Sequence, residues 1–187
     1  MISLMKTGRQ QARPLNVARH TGKESAIERY TFGLYVRTGT SASCFYKRAA
    51  DKDSFPGCYD TSSSGHIHAG DEPITSALRE LYEELGITAH ESDLNFAGRF
   101  HVAYEKEFYG KMFRDNEVAF VYVYTKPVEI SKLTLQKEEV ESVKWFDMEE
   151  IQRALEPRDS RFCVPTDGFK LAVKWCKENI QRIAGEK

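Results

Sequence analysis

Residues 65–87, GHIHAGDEPITSALRELYEELGI, constrain the fold more than any other stretch of the chain. Ile74, Leu78, Leu81 and Leu85 recur at helical spacing, which predicts a helix over 72–85 with one buried stripe. Pro73 suits its first position, Asp71 and Glu72 suit its positive end, and Gly86 is a natural stop. On the same helix Glu80, Glu83 and Glu84 stand at i, i+3 and i+4, as neighbours on one face. Like charges so spaced cost a helix roughly 0.2–0.5 kcal/mol per pair. A hard divalent cation reverses that sign, because it takes oxygen ligands: a few carboxylates, water and substrate phosphates. Arg79 lies beside the cluster and can orient or neutralise one carboxylate, and Gly65 and Gly70 let the backbone approach a ligand or metal closely. Three glutamates alone would read as a solvated acidic face. The ordered pattern G-x5-D-x7-R-E-L-x-E-E-x-G-I, from Gly65 to Ile87, fixes nine positions in 23 residues and is hard to ascribe to chance.

The rest of the chain supplies strands around that helix. YTFGLYV (30–36) and SCFYKR (43–48) are aromatic and β-branched runs about Gly39 and Ser41, expected to form a strand pair. AADKDSFPGCYDTSSS (49–64) is rich in turn formers and expected to be a loop. DLNFAGRFHVAYE (93–105) and EVAFVYVYTKP (117–127) alternate apolar and polar residues as strands do, with KEFYGKMFRDN (106–116) expected as a connecting loop. VESVKWF (140–146) is a further strand; Asp147 and Glu150 make an Asp-x-x-Glu helix start, and a last helix begins near Pro165. Trp145 and Trp175 are expected in the core. The fold class is α/β (α+β), in layers. Residues 1–28 are polar and weakly patterned, an N-terminal arm before a single domain over 29–187.

Charge and composition narrow the function. Twenty-seven basic and 28 acidic residues leave a net charge of −1. That balance argues against a stable nucleic-acid partner or an anionic membrane surface, both of which favour basic proteins. No apolar run is long enough to cross a bilayer, and the first residues lack a secretory core. Cys44, Cys58, Cys163 and Cys176 show no C-x-x-C spacing and read as reduced, mostly buried thiols of a cytoplasmic protein.

The 65–87 pattern resembles the Nudix box, G-x5-E-x7-R-E-U-x-E-E-x-G-U with U a bulky aliphatic; Asp71 stands where the family has its first glutamate. The resemblance implies the Nudix fold, a mixed sheet between helices, with a loop–helix–loop that holds Mg2+ (or Mn2+) against a diphosphate. By position, Glu80, Glu83, Glu84 and the Gly65 carbonyl are the implied metal ligands, and Arg79 holds the cluster together. The implied activity is hydrolysis of a phosphoanhydride in a small-molecule diphosphate, such as a nucleoside diphosphate linked to another moiety. A carboxylate would take the proton of the attacking water. Glu84 is implied as a ligand that also reaches that water; Glu117, Glu138 and Glu139 are the base candidates outside the box. Lys47, Arg48 and Lys52 precede the box and are candidates for substrate phosphates. Phe108, Tyr109 and Phe113 are candidates for stacking on a base, or for packing. Dimers are frequent in the family, so a homodimer is compatible with the resemblance.

Over residues 30–155 the chain also resembles the isopentenyl-diphosphate-isomerase branch of that family, through FYKRAADKDSFPGCYDTSSSGHIHAGDE, RDNEVAFVYVY and KEEVESVKWFDMEEI. The isomerase protonates a carbon–carbon double bond and needs a cysteine just before the Gly-His; here the residue is Ser64. A hydroxyl is a far weaker acid than a thiol. His66, Asp115, Glu117 and His20 match members of the isomerase metal site, but Arg29 falls where a further histidine is needed. The expectation is therefore a hydrolase on the isomerase's scaffold. The alternatives are an isomerase, a non-catalytic binding domain and, within the hydrolases, a messenger-RNA decapping enzyme. An intact acid set speaks against the binder, and the lack of a basic surface against decapping.

Overall fold

The computed structural model describes residues 27–37 and 41–185. Most of the expected arm over 1–28, His20 and the turn at Gly39 lie outside the described residues. Among the described residues seven strands form one mixed sheet: β1 (Ile27–Arg37), β2 (Ser41–Arg48), β3 (Tyr59–Asp60), β4 (Ser63–His66), β5 (Leu94–Phe108), β6 (Lys111–Tyr124) and β7 (Val140–Asp147). Helices α1 (Pro73–Leu85), α2 (Met148–Leu155) and α3 (Thr166–Gly185) complete it. β1 runs parallel to β6 along one edge. Its other edge is shared: Arg29–Phe32 pair antiparallel with β4, and Leu34–Arg37 with β2. That division brings β4, and the glycine that follows its serines, to the middle of the sheet beside α1.

Period-2 alternation sorts side chains to the two faces. Cys44, Tyr122 and Tyr124 pack with Leu81 and Leu85 of α1. Their strand neighbours Phe45 and Val123 pack with Ile151 and Leu155 of α2 and with Phe169 and Cys176 of α3. The sheet is thus sandwiched between α1 and the α2–α3 pair, the expected arrangement. Trp145 and Trp175 flank the two cores half-buried. Pro73 opens α1, and Gly86 closes it in the left-handed region with φ 71°. Asp147 caps α2, accepting from the Glu149 and Glu150 amides at 2.8 and 3.4 Å.

One expected loop is a hairpin, and a second holds short strands. Residues 106–116 continue β5 and β6 into one long hairpin, paired from Leu94↔Tyr124 to Phe108↔Lys111. Its turn is Tyr109–Gly110, with φ 52° and 74°; two positive values in a two-residue connection match the right-handed twist of the strands. The sequence hides it because Glu105, Lys106 and Glu107 are three consecutive charged, exposed residues, which break the alternation. Residues 49–64, read as a loop for their serines and glycine, contain β3 and reach β4. Ser62 and Ser63 are fully buried there, and the Ser62 hydroxyl donates to the Cys44 carbonyl. Small hydroxyl side chains fit between β2 and α1, and that tertiary gain overrides their turn preference.

Candidate functional site

The acidic face of α1 lies against β4. Gly65 is the residue that permits this: a β-carbon there would stand 2.5 Å from Cδ of Glu80, well inside contact distance. One turn on, Glu84 is 3% exposed, and its Oε2 accepts the Ser64 amide at 3.2 Å. Arg79 spans the start of the loop and the helix. It donates to Asp71 at 2.8 Å, to the His66 carbonyl at 3.3 Å and to Glu80 at 3.4 Å.

The segment before β7 docks on the C-terminal end of α1. The Thr134 and Gln136 amides donate to the Leu85 and Glu84 carbonyls at 3.1 and 3.0 Å, satisfying two carbonyls that a helix end leaves open. The turn that follows carries Glu138 outward and Glu139 toward the box. Glu139 is held at both ends: its carbonyl accepts the Ala49 amide at 3.0 Å, and its carboxylate pairs with Lys52 at 2.5 Å.

Electrostatics record this crowding. Burial, then the neighbouring charges of Glu83 and Glu139, push the Glu80 carboxyl up to about 7. Burial drives Glu84 well above the ordinary carboxylate range; Glu80 and Glu139 add to the rise, while the Ser63 hydroxyl and Ser64 amide oppose it. Glu83 is exposed at the rim. Among the described residues no three His, Cys, Asp or Glu side chains converge tightly enough to enclose a metal ion. The donor set nonetheless fits a hard cation. Buried Glu84 and half-buried Glu80, raised first by burial and then by neighbouring acids on a helix that Gly65 of β4 lets approach, are oxygen donors whose charge a cation would stabilise.

The remaining expected residues fall elsewhere. Lys47 pairs with Glu141 at 2.8 Å on the β2–β7 surface. Arg48 pairs with Asp60 at 3.2 Å and donates to the Ser54 carbonyl at 3.1 Å. Both are engaged in ion pairs, as Lys52 is, so none presents an unpaired charge to a phosphate. Glu117 is 2% exposed on β6 and bonds His66 Nε2 at 2.9 Å. His66, 56% exposed at the end of β4, is a hydrogen-bonding loop residue in this arrangement. Phe108 stacks edge-on against Phe55 at 4.9 Å, with Lys106 over both rings, and Tyr109 is exposed at the hairpin turn. Tyr46 is a site neighbour that the sequence reading missed. It is buried, its hydroxyl is 3.4 Å from that of Ser64, and burial followed by Asp60 and Glu84 raises it well above the usual phenol range. Its place two residues after Cys44 on β2 is the signal that puts it on the α1 face.

A family model described as NUDIX domain matches residues 28–163. The chain belongs to the Nudix family. It is 41% identical over 145 residues to Nudix hydrolase 3 of Arabidopsis thaliana, covering 72% of this chain and 17% of that protein. To an uncharacterised Nudix hydrolase of Clostridium acetobutylicum it is 38% identical over 112 residues, covering 60% of this chain and 52% of that one. The chain therefore spans about half or less of the length of these two relatives. An isopentenyl-diphosphate Delta-isomerase of Cereibacter sphaeroides is 26% identical over 94% of this chain and 92% of its own. The MutT protein of Methanosarcina mazei superposes with a TM-score of 0.59 at 18% identity, over 84% of this chain and 99% of that one, which shows the shared fold. No helix among the described residues is long and apolar enough to cross a membrane.

Proposed function

We infer that this Nudix domain is a divalent-metal-dependent pyrophosphohydrolase acting on a small-molecule diphosphate, in the class of nucleoside diphosphates linked to another moiety. The observation that carries the reading is the acidic face of α1 set against Gly65, with Glu80 and Glu84 both raised by burial and both facing the charge of Glu139. Glu80, Glu83, Glu84 and the Gly65 carbonyl would hold Mg2+ or Mn2+. Bound there, the metal neutralises charge developing on the phosphates and lowers the pKa of a coordinated water.

The protein's own groups divide the remaining work. Arg79 fixes Glu80 and the His66 carbonyl in place. Glu139 is the favoured base, because it is the acid outside the box whose charge reaches both Glu80 and Glu84. It takes the proton as water oxygen bonds to phosphorus and the bond to the departing phosphate oxygen breaks. Glu138 points outward from the same turn, and Glu117 is engaged with His66. Lys52, paired with Glu139, holds that carboxylate in place. Residues 29–187 act as a single domain in this reading.

The likeness to the isomerase over nearly the whole chain supports a second reading, conversion of isopentenyl diphosphate. Ser64 weighs against it: its hydroxyl faces Tyr46 and its amide is given to Glu84, so no thiol acid stands at that position.

The test is incubation with Mg2+ and a panel of nucleoside diphosphate sugars, dinucleotides, nucleoside triphosphates, coenzyme A and isopentenyl diphosphate, beside Glu84→Gln. Metal-dependent cleavage lost in the variant supports the hydrolase. Formation of dimethylallyl diphosphate supports the isomerase. Absence of Mg2+ binding by calorimetry, with no turnover of any compound, points to a binding domain.

A further inference from the structure

Away from the acidic loop, two of the four cysteines meet. Tyr59 pairs in parallel with Phe162: its amide donates to the Arg161 carbonyl at 2.7 Å, and its carbonyl accepts the Cys163 amide at 2.9 Å. Side chains alternate across such a pair, so Cys58 and Cys163 lie on the side opposite Tyr59 and Phe162. The two thiols are close enough for Cys163 to share its proton with Cys58. Each sulfur also sits near a backbone carbonyl that fixes it: Cys58 is 3.4 Å from that of Ser160, and Cys163 3.5 Å from that of Tyr59.

The pair is unequal. Cys58 is half-exposed, and Cys163 lies deeper. The charged groups facing them are Lys106 of the β5–β6 hairpin, Arg48 of β2 and Asp60 of β3. The hydrogen bond from Cys163, with Lys106 and Arg48, brings the Cys58 thiol down to about 6; the same bond, with burial, pushes Cys163 up. A half-exposed sulfur held as thiolate beside a second thiol is the arrangement of an oxidisable pair. Cys44 and Cys176 are buried in the two cores, and burial raises both.

The geometry points to Cys58 and Cys163 as a peroxide-oxidisable dithiol, with Cys58 the attacking sulfur and Cys163 the resolving one. In the first step the Cys58 thiolate attacks one peroxide oxygen. The O–O bond breaks, the departing hydroxide takes a proton as water, and Cys58 becomes a sulfenic acid. In the second, the Cys163 sulfur attacks the Cys58 sulfur, the S–O bond breaks, and the hydroxide leaves as water with the Cys163 proton. Two thiols lose two electrons to one peroxide, giving a disulfide and two waters. The bond would tie the segment that enters β3 to the one that enters α3. It would also replace a thiolate beside Arg48 with a neutral sulfur.

The whole chain is treated with equimolar hydrogen peroxide, alkylated, digested with trypsin and mapped by mass spectrometry without reduction. The expected product joins the peptide of Cys58 to that of Cys163, two hydrogens lighter than their sum, and reverts with dithiothreitol. At pH 7, brief iodoacetamide treatment of the untreated protein labels Cys58 ahead of the other three. In Cys163→Ser the same oxidation leaves Cys58 as a sulfenic acid trapped by dimedone. Equal labelling of all four cysteines, or oxidation of wild-type Cys58 to sulfinic acid with no linked peptide, overturns the assignment. The wild-type map decides it even if the variant fails to fold.

Discussion

Lys52 Nζ stands 2.5 Å from the carboxylate of Glu139, and the Ala49 amide holds the Glu139 backbone. The loop before the box and the turn before β7 are thereby joined at the acidic cluster. If Glu139 is the base, Glu139→Gln lowers kcat by about 100-fold or more, the lower range of general-base effects. Glu138→Gln, on the outer side of the same turn, leaves it within a few-fold. Lys52→Met lowers kcat/KM in wild type but has much less effect in the Glu139→Gln background, because the partner it positions is gone. Initial rates for the three single variants and the double variant check this; a full additive loss in the double variant would show that Lys52 acts independently.

Gly65→Ala tests the close approach of α1 to β4. The new methyl would stand 2.5 Å from the Glu80 carboxyl carbon, so the Glu80 side chain must be displaced. Overpacking of this kind costs about 1–3 kcal/mol. Thermal unfolding should report that loss, and Mg2+ affinity measured by calorimetry should fall with it. Gly70→Ala meets nothing within 4 Å but has φ 91°, so it destabilises without weakening metal binding to the same extent.

The helix and its acids were legible because the pattern is local. Leucine periodicity, Pro73, Gly86 and the Glu80–Glu83–Glu84 spacing lie within one stretch and obey one repeat. What the sequence concealed depends on distant partners. Ser62 and Ser63 look like turn residues until Cys44 and α1 enclose them. The hairpin tip over 106–116 pairs through its backbone, while consecutive exposed charges at Glu105, Lys106 and Glu107 break the alternation that marks a strand. Lys47, Arg48 and Lys52 looked alike as free cations, and only the fold shows that each has an acid beside it: Glu141, Asp60 and Glu139. Among the base candidates, Glu117, Glu138 and Glu139 were equal in sequence. The Gln136–Glu84 backbone bond, which ties the turn of Glu138 and Glu139 to the helix end, joins residues far apart in the chain.

The raised Glu80 carboxyl predicts an unusual pH dependence in metal-free protein. Its value is near 7 in the folded chain and near 4.5 as an ordinary glutamate. Above pH 7 it is charged in both states and carries its full penalty; as pH falls the folded state takes up the proton first. Its contribution to stability is therefore complete below about 4.5 and lost as pH rises through about 7. In EDTA, Tm should fall between pH 5.5 and 8, and Glu80→Gln should flatten that slope. Saturating Mg2+ should reverse it if Glu80 is a ligand, because binding favours the ionised form. Unchanged slopes with and without Mg2+ would remove Glu80 from the metal site.

Arg79 offers the test that separates holding the loop from holding the metal. Its guanidinium bonds Asp71, the His66 carbonyl and Glu80, so it links the loop to the helix through three acceptors. Arg79→Lys keeps the charge but cannot span all three, because an ammonium lacks the planar fork. If the spacing of loop and helix matters, the lysine variant loses most of what Arg79→Ala loses in kcat, while Mg2+ affinity falls less than in Glu84→Gln. If charge alone matters, lysine restores activity to within a few-fold of wild type. Asp71→Asn should resemble the lysine variant, since it leaves the arginine charge in place and weakens its 2.8 Å anchor. Parallel calorimetry and initial rates on the four proteins distinguish the two outcomes.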